Sequence, residues 1–162
     1  GDPALLLPKF YKPIVINGLK DKIGIVPHKS NYNKYINNID TAKYYLINPT
    51  DKWQNVINYI CSCKAIISSS LHGLICADAY NKSNLWLDEY KLSEGDFKFK
   101  DYFASQYRNY IKITNSTGII KYLLNNNKIK QNNRRFNNEN KGEFIYKTLR
   151  MSLNEVDPFM HE

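Results

Sequence analysis

The chain has 162 residues, 43% of them hydrophobic and 23% charged, which is one domain's worth of sequence with enough apolar material for a core. No apolar run approaches the roughly 18–20 residues a membrane-spanning helix needs, and the opening residues 1–8 lack the basic stretch of a secretory signal, so a cytoplasmic protein is expected. The net charge of +8 favours anionic partners, but the lysines are scattered, only residues 128–135 cluster, and no nucleic-acid motif accompanies them, so nucleic-acid binding is not expected. Cys61, Cys63 and Cys76 are an odd number with no zinc-like spacing, so neither a disulfide framework nor a metal site is expected.

Five short apolar runs follow one another along the chain, each ending at turn residues. They lie at residues 13–16, 22–26, 44–47, 64–68 and 84–87, and they read as buried strands of a parallel sheet. Between the third and fourth, residues 51–61 place Trp53, Val56, Ile57 and Ile60 on one helical face, with Thr50 or Asp51 as a candidate cap. Residues 74–80 read as a small-residue helix. Residues 95–103 alternate aromatic and charged side chains, as an exposed strand or an ordered loop would, with Phe97 and Phe99 inward and Lys98 and Lys100 outward. Helical spacing returns at 117–124 and 142–153, flanking a polar, Asn-rich stretch at about 125–140. Strands alternating with helices imply an α/β fold, a three-layer parallel sheet with right-handed crossovers. The division expected is an α/β unit over 1–112 and a helical extension over 113–162.

The segment 65–80 carries most of the chemistry. A strand at 64–68 runs through Ser69-Ser70-Leu71-His72-Gly73 into the helix at 74–80. A tight polar turn there gathers backbone N–H groups and the positive end of a helix dipole, which suits an anion. A histidine and several hydroxyls beside it point to a phosphorylated or carboxylated substrate. His28 follows the strand at 22–26, and the carboxyl ends of strands are where open α/β sheets bind ligands.

Residues 67–75, with Ala77-Asp-Ala-Tyr80, resemble the polysaccharide pyruvyl transferases. So does Gly24-Ile-Val-Pro-His28. Residues 95–105 are similar to a third segment of that family, and Gly1-Asp-Pro-Ala-Leu5 to one that lies mid-chain in it. The likeness covers roughly residues 1–108 and is to the C-terminal half of the family pattern. Lys82-Ser83 departs from it, where many relatives carry an apolar residue and proline.

The resemblance implies a Rossmann-like fold, as in the C-terminal domain of a two-domain, glycosyltransferase-like protein, with residues 1–112 holding the donor. It implies phosphoenolpyruvate as donor substrate and no cofactor. The acceptor would be a sugar of a surface polysaccharide or its lipid-linked precursor, and the product a pyruvate ketal with phosphate released. A bacterial envelope pathway at the cytoplasmic side is the implied setting. An N-terminal half is among the implied partners, and peripheral contact with the inner face of a membrane is a further expectation. His72 is the candidate phosphate ligand or general acid, since a histidine titrates near neutral pH. Ser69 and Ser70 would either donate to phosphate or cap the helix. Leu71 and Gly73 complete the turn, Gly73 allowing close backbone approach or an unusual dihedral. His28, Lys29 and Lys98 are the remaining candidate binding residues. Asp78 and Asp101 would orient a histidine or act as a base, or Asp78 would complement a helix dipole from the first turn. A nucleotide-sugar glycosyltransferase domain is the alternative, as is a non-catalytic segment that binds a partner or a membrane surface.

Overall fold

The computed structural model describes residues 2–89 and 95–107 and the backbone of 112–113. Arg108, the expected helices at 117–124 and 142–153, the polar stretch between them and the basic cluster at 128–135 lie outside the described residues.

Five strands form one sheet: β1 (Ile23–Val26), β2 (Tyr44–Leu46), β3 (Ala65–Ser68), β4 (Asn84–Leu87) and β5 (Lys112–Ile113). All neighbours are parallel, in the order β2-β1-β3-β4-β5. Four helices join them: α1 (Tyr32–Ile36), α2 (Trp53–Ser62), α3 (Leu71–Ala79) and α4 (Gly95–Ser105). Alternating side chains of the strands face opposite sides. On one side Val26, Ile66 and Trp86 pack with Val56, Ile57 and Ile60 of α2, Leu74 and Ile75 of α3, and Phe99, Tyr102 and Phe103 of α4. On the other, Ile25, Tyr44, Ile67 and Leu87 pack with Tyr35 of α1 and Ile39. Helices therefore cover both faces, and the fold is α/β and Rossmann-like. The chain leaves β1 toward β2 on one side and β3 on the other, so the strand order reverses between the carboxyl ends of β1 and β3. Open sheets of this kind bind ligands at that reversal.

The run at 13–16 is not a strand. Residues 11–16 form an extended strap over α2, whose side chains take up its amides: Asn58 Oδ1 accepts from the Ile14 N–H at 2.8 Å and Ser62 Oγ from the Ile16 N–H at 2.8 Å. Ile14 and Val15 stay 68% and 66% exposed. Proline at 13 lacks an amide hydrogen, and the strap's ties to side chains replace ladder bonds.

Residues 95–105 form a helix, α4, rather than a strand or loop. Phe99, Tyr102 and Phe103, at helical spacing, are buried, while Phe97 is 74% exposed. The Phe99 ring stacks on Trp86 of β4 with centroids 4.6 Å apart. That flat surface gives the helical period its reward, and the strand-like alternation of Phe97 and Phe99 has none.

Helix α3 begins at Leu71, three residues before the expected start. Leu71, His72 and Gly73 are its first turn, not a separate bend. Before it, a 3₁₀ segment, Pro3–Lys9, lies along α3, with Ala4, Leu5 and Leu7 packed into the same core as Leu74 and Ile75.

Candidate functional site at the reversal of the sheet

The carboxyl ends of β1 and β3 are stitched together by serine. The Ser69 N–H donates to the Val26 carbonyl at 3.1 Å, and the His28 N–H donates to Ser69 Oγ at 2.8 Å. Ser68 Oγ accepts from the Ser70 N–H at 3.0 Å and lies 2.9 Å from the Val26 carbonyl oxygen. Ser70 is the N-cap of α3, its Oγ accepting from the Gly73 N–H at 3.3 Å. All three hydroxyls are buried. Of the two readings of Ser70, phosphate donor or cap, the structure supplies the cap.

Gly73 sits in helical backbone. A Cβ there would lie 2.4 Å from Ser68 Oγ and 3.0 Å from Val26 Cγ1. Close approach of α3 to the ends of β1 and β3 is therefore what this glycine provides, and no unusual dihedral is involved.

His72 occupies the second position of α3. Its imidazole is 18% exposed, and Nε2 lies 3.7 Å from Oδ2 of Asp2. The other oxygen of Asp2 accepts from the Ala4 N–H at 2.8 Å, which caps the 3₁₀ segment. One carboxylate thus fixes the segment and faces the histidine. First-turn amides of a helix face back along its axis, so those of α3 face the rim on which His72 stands.

The other expected residues divide. Leu71 is partly buried and packs against the core. His28 stands at the rim, but its Nδ1 accepts from the Ser30 N–H at 3.4 Å and lies 2.9 Å from Ser30 Oγ, capping the 3₁₀ turn Lys29–Asn31. Lys29 is exposed on that turn. Lys98 is exposed on α4, with Nζ 5.6 Å from the Phe99 ring centre rather than on the serine cluster. Asp78 lies in the last turn of α3, not the first. Its carboxylate accepts from Asn84 Nδ2 at 2.7 Å and from the Tyr102 hydroxyl at 2.7 Å, tying α3 to β4 and α4. Asp101 is exposed on α4.

Glu89 was not among the expected residues, yet it joins the cluster. It follows β4 by two residues. Its Oε2 accepts from Ser69 Oγ at 2.6 Å and from Asn31 Nδ2 at 2.8 Å, and the Tyr35 hydroxyl donates to Oε1. Burial pushes the Glu89 carboxyl above the usual range, against the opposing pull of the Asn31 hydrogen bond and the Lys34 charge. The only sequence signal was position: an acid just past an apolar strand, where a sheet's ligand rim falls.

Cys61, Cys63 and Cys76 are thiols that form no disulfide. Burial pushes the Cys61 thiol up to about 12 and that of Cys63 to about 11. Lys82, in the turn where the sequence departs from the family pattern, donates from Nζ to the Cys61 carbonyl at 3.0 Å. Among the described residues no helix is long and apolar enough to cross a membrane.

Comparison with known proteins gives one relative and one family. An uncharacterized protein of Acanthamoeba polyphaga mimivirus is 31% identical over an alignment of 128 positions that covers 68% of this chain. The chain spans 42% of that relative's length. No solved structure matches. The family model for polysaccharide pyruvyl transferase matches residues 1–89, the N-terminal part of this chain, taking in Asp2, β1, His28, the serine run, α3 and Glu89 but not α4. With 89 of its 162 residues matched, the chain belongs to the polysaccharide pyruvyl transferase family, a family of transferases.

Proposed function

We propose that this chain carries the donor side of a pyruvyl transferase, which moves the enolpyruvyl group of phosphoenolpyruvate onto two hydroxyls of one sugar in a surface-polysaccharide precursor. The product is a pyruvate ketal and the leaving group is inorganic phosphate. The observation that carries this reading is the placement of family-matched residues: His72, faced by Asp2, stands on the first turn of α3 at the reversal of the sheet.

The chemistry sets three demands. A carboxylate and a phosphate must be held together, a proton must reach the methylene carbon, and positive charge developing at the ketal carbon must be tolerated. First-turn amides of α3 and the end of its dipole suit the anions. His72 suits the phosphate, as a ligand that also protonates the departing oxygen. Exposed Lys29 offers a cation to the incoming donor at the same rim.

Calorimetric titration of the chain with phosphoenolpyruvate, followed by phosphate release in the presence of saccharide acceptors, tests the proposal. Saturable binding that His72→Ala weakens, with phosphate released only when an acceptor is present, is the expected result. Binding of a nucleotide-sugar with no binding of phosphoenolpyruvate would replace this reading by a glycosyltransferase one.

A further inference from the structure

Glu89 is more than a strut. It gathers Ser69 from the end of β3 and Asn31 and Tyr35 from the connection that follows β1, three donors that are all neutral. A tie between those elements needs an acceptor and no titratable group, and a glutamine oxygen would serve. Glu89 is instead a half-buried acid at the ligand rim of the sheet. Among the described residues, the charged or titratable groups that meet it are Lys34 and Tyr35 from α1, with Asp88 beside it in the chain. Lys34 is drawn onto Asn31, its Nζ donating to Asn31 Oδ1 at 2.6 Å. Burial outweighs that cation and raises the carboxyl above its ordinary value.

We propose that Glu89 is the proton-transfer residue of this site, giving its proton to the methylene carbon of the enol phosphate and recovering one from the acceptor hydroxyl that attacks. The inference rests on the pyruvyl-transfer reading. The π electrons of the donor's double bond take the Glu89 proton, and methylene becomes methyl. The first acceptor oxygen then bonds to the cationic carbon, and its proton returns to the Glu89 carboxylate. The second oxygen bonds to the same carbon as the bond to phosphate oxygen breaks; His72 protonates the departing phosphate, and the proton of the second hydroxyl restores His72. Two hydroxyl protons are consumed, one retained in the methyl group and one on phosphate, and Glu89 ends as it began. Ser69, held by the His28 amide, fixes the carboxyl beside the carboxyl ends of β1 and β3.

The test follows the Glu89 carboxyl by NMR in chain labelled with carbon-13 glutamate, the resonance being assigned by its loss in Glu89→Gln. Its titration is expected above the ordinary value of 4.5, moving up by about one further pH unit when phosphoenolpyruvate binds beside it. Glu89→Gln is expected to bind phosphoenolpyruvate within about threefold of the parent, to lose about 100-fold in turnover and to lose the fall in rate toward high pH that a general acid imposes, while Glu89→Asp recovers part of both. A Glu89 titration that phosphoenolpyruvate leaves unmoved, or a Glu89→Gln chain with turnover within about threefold, overturns the role of Glu89 and leaves pyruvyl transfer standing. A parent chain that does not bind phosphoenolpyruvate overturns both. A chain that binds the donor without turning over is decided by the titration alone.

Discussion

Gly73 and His72 are neighbours that answer to different constraints. A methyl group at 73 would press on Ser68 and Val26, both buried, so Gly73→Ala is expected to cost about 1–3 kcal/mol in urea unfolding. An unchanged midpoint would mean that α3 does not sit this close to β1 and β3. His72→Ala is expected to cost about 100-fold or more in phosphate release, measured on variant chain that unfolds cooperatively in urea. The thiols give a third test at this scale. With Cys61 lifted to about 12 and Cys63 to about 11, both stay protonated at pH 8, and neither should react with a disulfide reagent until the chain unfolds. Of these residues His72 and Gly73 were readable in the sequence, because a strand, a cap and a first helical turn are local features. The Asp2–His72 contact was not, since nothing in the chain says that a segment seventy residues earlier returns to lie along α3.

Elements were legible where burial and local pattern agree. Residues 84–87 form the expected strand to the residue, and three others differ by one position, because short β-branched runs bounded by turn residues have one economical use in a parallel sheet. The strap and α4 were misread for the same reason in opposite directions: what decides each is a distant partner. For the strap it is Asn58 and Ser62 of α2, and for α4 the face of Trp86. Two substitutions test these contacts. Phe99→Ala should destabilise by about 3–5 kcal/mol, with the loss read by urea midpoint and by tryptophan fluorescence as Trp86 loses its cover. Ser70→Ala removes the cap of α3 and should cost about 1 kcal/mol, while Ser70→Asp, which keeps an acceptor, should recover most of it.

For the molecule as a whole, Glu89 gives stability a pH dependence of definite sign. Its carboxyl is raised in the folded chain, so between the ordinary value of 4.5 and the raised one the folded state holds a proton that the unfolded chain has released. This contribution therefore falls as pH rises through that window, the reverse of a carboxylate stabilised by a salt bridge. Urea midpoints measured from pH 4 to 7 should show that fall, and Glu89→Gln should flatten it. Glu89 escaped the sequence reading because residues 31, 35, 69 and 89 share no local pattern; only the order of the strands brings them to one edge. The same order bears on how the protein is made. Of these five strands β1 leaves the ribosome before the others, yet it is an interior strand and completes its second flank only when β3 has emerged. Until residue 68 clears the exit tunnel, a nascent chain carries an apolar strand with an open hydrogen-bonding edge, the kind of surface that holdase chaperones capture and that sticks to its copies on a crowded polysome.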